Sequence, residues 1–226
     1  MSSTSFLDQV EPVSKKDRTL AILREAIITG KIDPGAPIAE NRVSQRLGVA
    51  QGLVREALIE LEHQGLVQRM PYRGTFVTKL SREDIEKIFR LRSELEALAG
   101  KWAKAQAKAA DIAALRGLVE GMRQGAEKLD LDQFYKNDLA FHRKLWAVSG
   151  NEYLVDALER VVVPLFAFFL MKSTRLHESY IESVTIHERI IDALETKDAE
   201  SVQQLIRETL SELKEEWFTK LLPKEA

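Results

Sequence analysis

Apolar residues recur at helical spacing through nearly the whole chain after Leu80, and this pattern constrains the fold more than any other feature. Ser81 and Asp84 form a helix-capping pair. The apolar positions that follow them are Ile85, Ile88, Leu91, Leu95, Leu98 and Trp102. Further helices are predicted to start near Asp111, Asp132, Asn151, Arg175 and Asp198. No strand-like alternation separates them, so residues 80–222 are predicted to form an antiparallel, all-α bundle of six helices.

Residues 14–79 have a different pattern, which predicts a small domain of helices and a hairpin. Ser14 caps a first helix, a short helix spans Glu40 to Leu47, and a longer one runs from about Ala50 to His63. Two extended runs, 66–69 and 75–78, are joined by a connection that contains proline and glycine, which is typical of a hairpin. Residues 1–13 carry no periodic pattern and are predicted to be a flexible tail.

Composition excludes several classes of protein. The 226 residues include no cysteine, which rules out disulfides, thiolate metal sites and a cysteine nucleophile. The most apolar stretch, Val161 to Met171, is too short to span a membrane and is interrupted by Pro164, so it predicts a buried core helix. The N-terminus lacks the pattern of a secretion signal, and a cytoplasmic protein is expected. The net charge of −2 means that any attraction to DNA depends on local arginines.

A short helix, a glycine turn and a second helix make up the helix-turn-helix plan, in which the second helix enters the major groove of DNA. Its first outward residues are Gln51, Gly52 and Arg55. The hairpin tip adds Arg73 and Gly74. Three further arginines could position the domain on the DNA backbone: Arg42, Arg46 and Arg69. Residue spacing alone leaves an alternative open. The three helices could be a packing unit that binds no DNA, with surface arginines that are only solvated.

The run LREAIITGKIDPGAPIAENRVSQRLGVAQGLVREALIELEHQGLVQRMPYRGTFV resembles the winged helix-turn-helix of GntR-type bacterial transcription regulators. The resemblance implies that the DNA-contacting positions are Asn41, Gln51, Gly52, Arg55, Arg73 and Gly74. The chain has Ala50-Gln51-Gly52-Leu53 where the family usually has Ser-Arg-Thr-Pro. Because glutamine pairs best with adenine, this departure predicts an altered operator preference.

Polar side chains occupy core positions on three helices of the predicted bundle. Asp138 and His142 project from the same helix face at a spacing that suits two ligands of one cation. His187 and Thr209 each lie within an apolar stripe of a later helix. A buried charge must be paired or bound to a metal. The residues alone leave open an internal Asp138–His142 pair and a purely structural His187.

The stretches FRLRSELEALAGKWA, DLAFHRKLWAVSGN and HERIIDALETKDAESVQQLIRETL resemble the FCD effector domain of the FadR branch, in its six-helix, VanR-like form. Many such domains hold a divalent metal through one Asp and three His. The resemblance maps three of these ligands onto Asp138, His142 and His187, whereas Thr209 replaces the fourth. It therefore implies a Zn, Ni or Mn site with a weakened ligand set.

The same resemblance implies a small organic-acid effector next to the metal, with Arg92 as the partner of its carboxylate. The effector site would then comprise Arg92, Asp138, His142, His187 and Thr209. The alternative for Arg92 is a surface salt bridge to Glu96, four residues further along the helix. His177 is left out because it points to a different helix face from His187.

The leading hypothesis is a ligand-responsive transcription regulator, expected to be a repressor, that binds a palindromic operator as a homodimer. The rival hypothesis is a metal-dependent helical enzyme, in which Asp138, His142 and His187 would activate water. No carboxylate is placed as an obvious general base, and the Glu-x-x-His pairs of di-iron bundles are missing. The sequence therefore predicts a regulator and not an enzyme.

Overall fold

The computed structural model describes residues 14–173 and 180–220. The predicted tail, residues 1–13, His177 and the predicted helix start at Arg175 lie outside the described residues. The described helices are α1 (Lys15–Ile28), α2 (Glu40–Leu47), α3 (Gln51–His63), α4 (Arg82–Gln106), α5 (Ala109–Glu127), α6 (Leu131–Val148), α7 (Glu152–Ser173), α8 (Ile181–Thr196) and α9 (Ala199–Lys220). The strands are β1 (Pro37–Ile38), β2 (Val67–Met70) and β3 (Gly74–Val77). The predicted mainly α fold is confirmed.

The N-terminal head, which we define as α1–α3 with β1–β3, has three helices beside a small antiparallel sheet. The strand order is β1-β3-β2, and β2 and β3 form the predicted hairpin with Met70 opposite Gly74. Strand β1, in which Ile38 pairs with Thr75, was not predicted, because two residues are too few to show an alternating pattern. On α3 the predicted inner face is confirmed: Val54, Leu58 and Leu61 are completely buried.

The C-terminal bundle, which we define as α4–α9, buries the apolar run of α7. Every residue from Leu165 to Met171 is buried, as predicted for a core helix. Pro164 lies inside α7 and removes one backbone hydrogen bond from it. Within the described ranges, no helix combines the length and the apolar character needed to cross a membrane.

The predicted inner face of α4 is only partly correct. Leu91 is 47 % exposed, and Ile88, Leu95, Leu98 and Trp102 are half-buried. The face that points into the bundle carries Ile85, Phe89, Arg92, Glu96 and Ala103. Helical spacing fitted two neighbouring faces of α4, and the true inner face was overlooked because it carries an arginine and a glutamate. Helix α4 therefore has a buried polar face beside an apolar stripe that stays partly exposed.

The head rests directly on α6 and α7 of the bundle. Arg143 on α6 donates to the carbonyl oxygen of His63, at the end of α3, over 3.3 Å. Arg24 on α1 forms an ion pair with Asp132 at the start of α6. A Cβ atom on Gly65, whose φ is +71°, would lie 2.6 Å from the carbonyl oxygen of Val163. Glycine is thus required there both by the backbone conformation and by the close approach of α7.

Candidate DNA-reading surface and metal site

The start of α3 exposes the predicted reading residues, and an acidic partner holds two of them. Nη2 of Arg55 lies 2.9 Å from Oε2 of Glu40, and Nε2 of Gln51 donates to the same oxygen over 3.2 Å. The hydrogen bond from Arg55 lowers the pKa of the Glu40 carboxyl, and the charge of Arg69 contributes to the lowering. The structure therefore brings Gln51 and Arg55 together at Glu40, whereas Arg69 forms its ion pair with Glu62. Sequence reasoning missed Glu40, whose only signal was its place at the start of α2.

The remaining predicted DNA contacts lie at the start of α2 and on the hairpin. Asn41 and Arg42 are exposed directly after Glu40. The guanidinium of Arg73 lies 5.7 Å from the ring centroid of Phe76 on β3. A Cβ atom on Gly52 or Gly74 would meet no atom within 4 Å, so both positions leave open space at the surface.

Three side chains from two helices converge inside the bundle. Oδ1 of Asp138 lies 3.6 Å from Nε2 of His142 and 3.1 Å from Nε2 of His187. The two Nε2 atoms are 3.4 Å apart. A tetrahedral metal ion with bonds of about 2.0–2.1 Å keeps its ligand atoms about 3.3 Å apart. The triangle of these three atoms, Oδ1 of Asp138 and Nε2 of His142 and His187, therefore fits one small divalent cation and is called the metal triangle below.

The outer nitrogens of both histidines face acceptors, which turns their inner nitrogens towards the site. Nδ1 of His187 donates to the carbonyl oxygen of Ser183 over 2.7 Å. Nδ1 of His142 lies 2.9 Å from Oε2 of Glu96. With Nδ1 protonated, each Nε2 presents a lone pair, and both lone pairs lie close to Oδ1 of Asp138. A cation bound between the three atoms would relieve this concentration of electron-rich atoms.

Arg92 and Glu96 form an ion pair beside the three candidate ligands. The pair considered from the sequence is therefore present, but it is buried and does not lie at the surface. Nε of Arg92 lies 2.7 Å from Oε1 of Glu96, and both side chains are almost fully enclosed. Burial by itself raises the pKa of the Glu96 carboxyl, but Arg92 and His142 outweigh it and hold the pKa at about 2. Glu96 is therefore a carboxylate that fixes the orientation of both Arg92 and His142.

Nη1 of Arg92 is buried and has no hydrogen-bond partner among the described residues. Nη2 of Arg92 lies 3.5 Å from Nε2 of His142, so the guanidinium borders the metal triangle. Thr209 is buried and lines the same small cavity, together with Arg92, His142 and His187. All five residues predicted for the effector site therefore lie in one place. Sequence reasoning missed Ser183, and it named Glu96 only as a partner of Arg92 and not of His142.

A helix-turn-helix head joined to a helical bundle with a buried polar site defines a class: the bacterial transcription regulators that pair a DNA-binding domain with a sensor domain. Residues 15–77 match the family model for "Bacterial regulatory proteins, gntR family". Residues 87–212, more than half of the chain, match the FCD domain. The chain therefore belongs to the GntR family of transcription regulators, and its bundle is an FCD domain.

Relatives and solved structures agree with this assignment. The chain is 27 % identical over 217 residues to the transcriptional repressor RspR of Escherichia coli, covering 95 % of this chain and 93 % of the relative. It is 30 % identical over 180 residues to a probable D-xylose utilization operon repressor of Paenarthrobacter nicotinovorans, covering 80 % and 78 %. The relatives are transcription regulators, and the alternative of a metal-dependent enzyme finds no support among them.

The fold is similar to that of two solved structures. Escherichia coli McbR/YncC superimposes with a TM-score of 0.70 at 23 % identity, covering 92 % of this chain and 99 % of that chain. A putative GntR regulator from Rhodococcus sp. RHA1 gives a TM-score of 0.66 at 24 % identity, covering 91 % and 98 %. At these identities the likeness establishes the fold and nothing finer.

Proposed function

We propose that the protein is a dimeric, ligand-responsive repressor that acts in the cytoplasm. In this proposal residues 14–79 bind a palindromic operator, and residues 80–222 bind a divalent metal and a small carboxylate effector and form the dimer. The observation that carries the sensor half is the triangle of Asp138, His142 and His187, whose ligand atoms lie 3.1–3.6 Å apart. Repression is proposed because two of the relatives are named as repressors.

For DNA, we assign base reading to Gln51 and Arg55 and backbone or groove contacts to Asn41, Arg42, Gly52, Arg69, Arg73 and Gly74. In the free protein Glu40 occupies the donors of Gln51 and Arg55. Operator binding therefore exchanges a carboxylate for base edges and phosphates, which also accept hydrogen bonds. The loss of the hydrogen bonds to Glu40 lowers the net free energy gained from each DNA contact. Before DNA binds, however, Glu40 keeps both side chains oriented.

A gel-shift titration with operator DNA tests this assignment. Arg55→Ala is expected to weaken specific binding at least several-fold, because a good arginine–base contact contributes about 1–3 kcal/mol. Glu40→Gln is expected to tighten binding, since it frees Arg55 and removes a negative charge next to the phosphates. Arg90→Ala, which removes an exposed arginine of α4, is the matched control. Wild-type affinity in Arg55→Ala would contradict the assignment.

For the metal, we propose Asp138, His142 and His187 as the protein ligands of Zn²⁺, Ni²⁺ or Mn²⁺. When bound, the ion would supply an electrophilic centre that attracts a carboxylate. Arg92 would hold the second half of that carboxylate through Nη1, which has no partner among the described residues. Thr209 occupies the place of a fourth protein ligand and would contact a water or the effector. The effector can shift the head only by binding one arrangement of head and bundle more tightly than another.

Elemental analysis of protein purified without chelators tests the metal site. Wild-type protein is expected to hold close to one metal ion per chain, and Asp138→Asn is expected to lose most of it. Asp156→Asn, an exposed aspartate of α7, is the matched control. Chelator should lower the melting temperature of the wild type and leave that of Asp138→Asn unchanged, because ligand binding stabilises the folded state. A wild-type content below about a tenth of an ion would remove the metal from the proposal.

For the dimer, we propose the apolar stripe of α4, which consists of Ile88, Leu91, Leu95, Leu98 and Trp102. These side chains are half-buried or exposed in the single chain, although helical bundles usually enclose such residues. A two-fold axis across α4 would pack the stripe against its own copy, since a two-fold interface pairs the same surface of both chains. Two heads would then face two half-sites of a palindrome.

A further inference from the structure

The cavity at the metal triangle is too small for an organic acid. It is lined by Arg92, His142, His187 and Thr209, and its volume is about 20 Å³. A single water molecule needs about 10–15 Å³ measured in this way. The cavity therefore has room for one water or for the ion, and the body of any effector needs space elsewhere.

A much larger cleft begins on the other side of one side chain, that of Phe166. The ring centroid of Phe166 lies 5.2 Å from that of His142 and 5.1 Å from the guanidinium carbon of Arg92. Phe166 also lines a cleft of about 450 Å³ between the head and the bundle. This volume lies within the range of small-molecule sites in proteins, about 300–1,000 Å³. Phe166 thus borders both the metal triangle and a space large enough for a ligand.

The cleft has an apolar floor and a charged rim. Leu66 of the head and Leu139 and Leu170 of the bundle supply apolar surface. The rim carries charges of both signs, from Arg24, Lys136, Arg143, Glu60 and Asp132, and Arg24 is neutralised by its ion pair with Asp132. Lys136 is exposed at this rim. The apolar floor suits a ligand with an aliphatic chain, and Lys136 offers a cation near the opening.

Helix α7 is weakened close to Phe166. Pro164, two residues earlier, cannot donate a backbone hydrogen bond to the preceding turn. The same turn contacts the head, because the carbonyl of Val163 lies against Gly65. A displacement of Phe166 would therefore act on the segment of α7 that supports the head.

We infer that the space occupied by the effector, called the effector chamber below, continues from the metal triangle past Phe166 into the cleft between head and bundle. We infer further that it takes a carboxylate with an unbranched aliphatic chain. The carboxylate lies at Arg92 and the metal, and the chain lies between Leu139 and Leu170 of the bundle and Leu66 of the head. This inference rests on the proposed sensor function, and it makes the head itself part of the effector site. Occupation of the cleft then changes the contact between head and bundle directly.

Calorimetric titration of zinc-loaded wild-type protein with acetate, butyrate, hexanoate and octanoate tests the inference. If the chain enters the cleft, affinity is expected to rise about fourfold for each added methylene group that becomes buried. If the chamber ends at Phe166, the longer acids bind no more tightly than acetate. A flat or falling series, or the absence of binding by all four acids, would overturn the inference.

Two variants test whether a rise of affinity with chain length depends on the cleft. Leu139→Gln, which changes a half-buried residue of the cleft floor, is expected to flatten the dependence on chain length and leave acetate unchanged. Leu131→Gln changes a half-buried leucine of the same helix outside the cleft lining and is expected to behave like wild type. Equal effects of the two variants would overturn the inference. Phe166→Ala joins the two spaces and is expected to accelerate the association of octanoate.

A gel shift on the same protein separates this inference from the proposed function. Operator binding that octanoate alters more strongly than acetate supports both. Operator binding with a flat or falling chain-length series contradicts the extended chamber alone. A rising series in a protein that binds no operator contradicts the proposed DNA-binding role and leaves the chamber standing.

Discussion

Tyr72 illustrates at the scale of one residue how the hairpin tip differs from an ordinary turn. Its φ is +61°, a left-handed conformation that non-glycine residues adopt at a cost, and its ring is fully exposed. The ring therefore gains nothing from packing that would offset the strain in its backbone. A left-handed bulky residue that the fold does not need is a candidate for a functional contact.

Tyr72→Asn is expected to raise the free energy of unfolding by roughly 1 kcal/mol, because asparagine adopts this conformation more readily. The measurement is a urea denaturation curve. The matched control is Tyr153→Asn on α7, which replaces an exposed tyrosine in helical backbone and should be neutral or slightly destabilising. A loss of stability in Tyr72→Asn would show that the ring makes stabilising contacts.

At the scale of one helix, α4 carries the residues of two proposed functions on neighbouring faces. One face buries Arg92 and Glu96, which border the metal triangle, and the other carries the apolar stripe proposed for the dimer. The proposed effector site and the proposed two-fold axis therefore lie on neighbouring faces of the same helix. This placement offers a physical route by which a ligand in one chain acts on the arrangement of both heads.

Leu91→Lys places a charge in the middle of the stripe and is expected to convert the dimer into a monomer, since an unpaired charge is costly in an apolar interface. Sedimentation velocity measures the result. Ile22→Lys, which changes an exposed apolar residue of α1 in the head, is expected to sediment like wild type. If Leu91→Lys remains dimeric, the chains associate through another surface.

At the scale of the whole molecule, the contact between head and bundle depends on a backbone-to-backbone approach. Gly65 lies directly against the carbonyl of Val163, next to Pro164, and Arg143 connects α6 to the end of α3. Arg143 follows His142 in the chain, so one turn of α6 carries both a proposed metal ligand and a contact to α3. The proposed metal site and the head are thus linked through one helix.

Gly65→Ala is expected to destabilise the protein more than Gly48→Ala does. Both glycines have positive φ, so each change introduces backbone strain of about 1–2 kcal/mol. Only at Gly65 does the new methyl group also overlap backbone atoms of α7, whereas Gly48 has open space around it. The difference between the two urea unfolding curves therefore measures the contact between head and bundle. Equal losses would show that the head moves away from α7 without cost.

Local patterns account for what the sequence predicted well. The inner face of α3, the hairpin and the convergence of Asp138 with His142 follow from helical or strand periodicity within a few residues. The inner face of α4 was assigned wrongly in part, because periodicity counts apolar residues and the buried positions include Arg92 and Glu96. A buried ion pair has no signature along the chain, since its stability depends on both partners being enclosed together.

By itself the sequence indicated the two kinds of domain, because helical and strand spacing are short-range patterns. Its resemblance to known regulators indicated the family and the residues of the candidate site. Only the tertiary structure decided that His187 meets Asp138, that Glu96 lies against His142 and that Glu40 holds Arg55. It also decided that the cavity at the candidate metal site is small and that a cleft opens beside Phe166. Distances between side chains on different helices depend on how those helices pack. That packing is set by the shapes of many side chains at once, which no single spacing along the chain records.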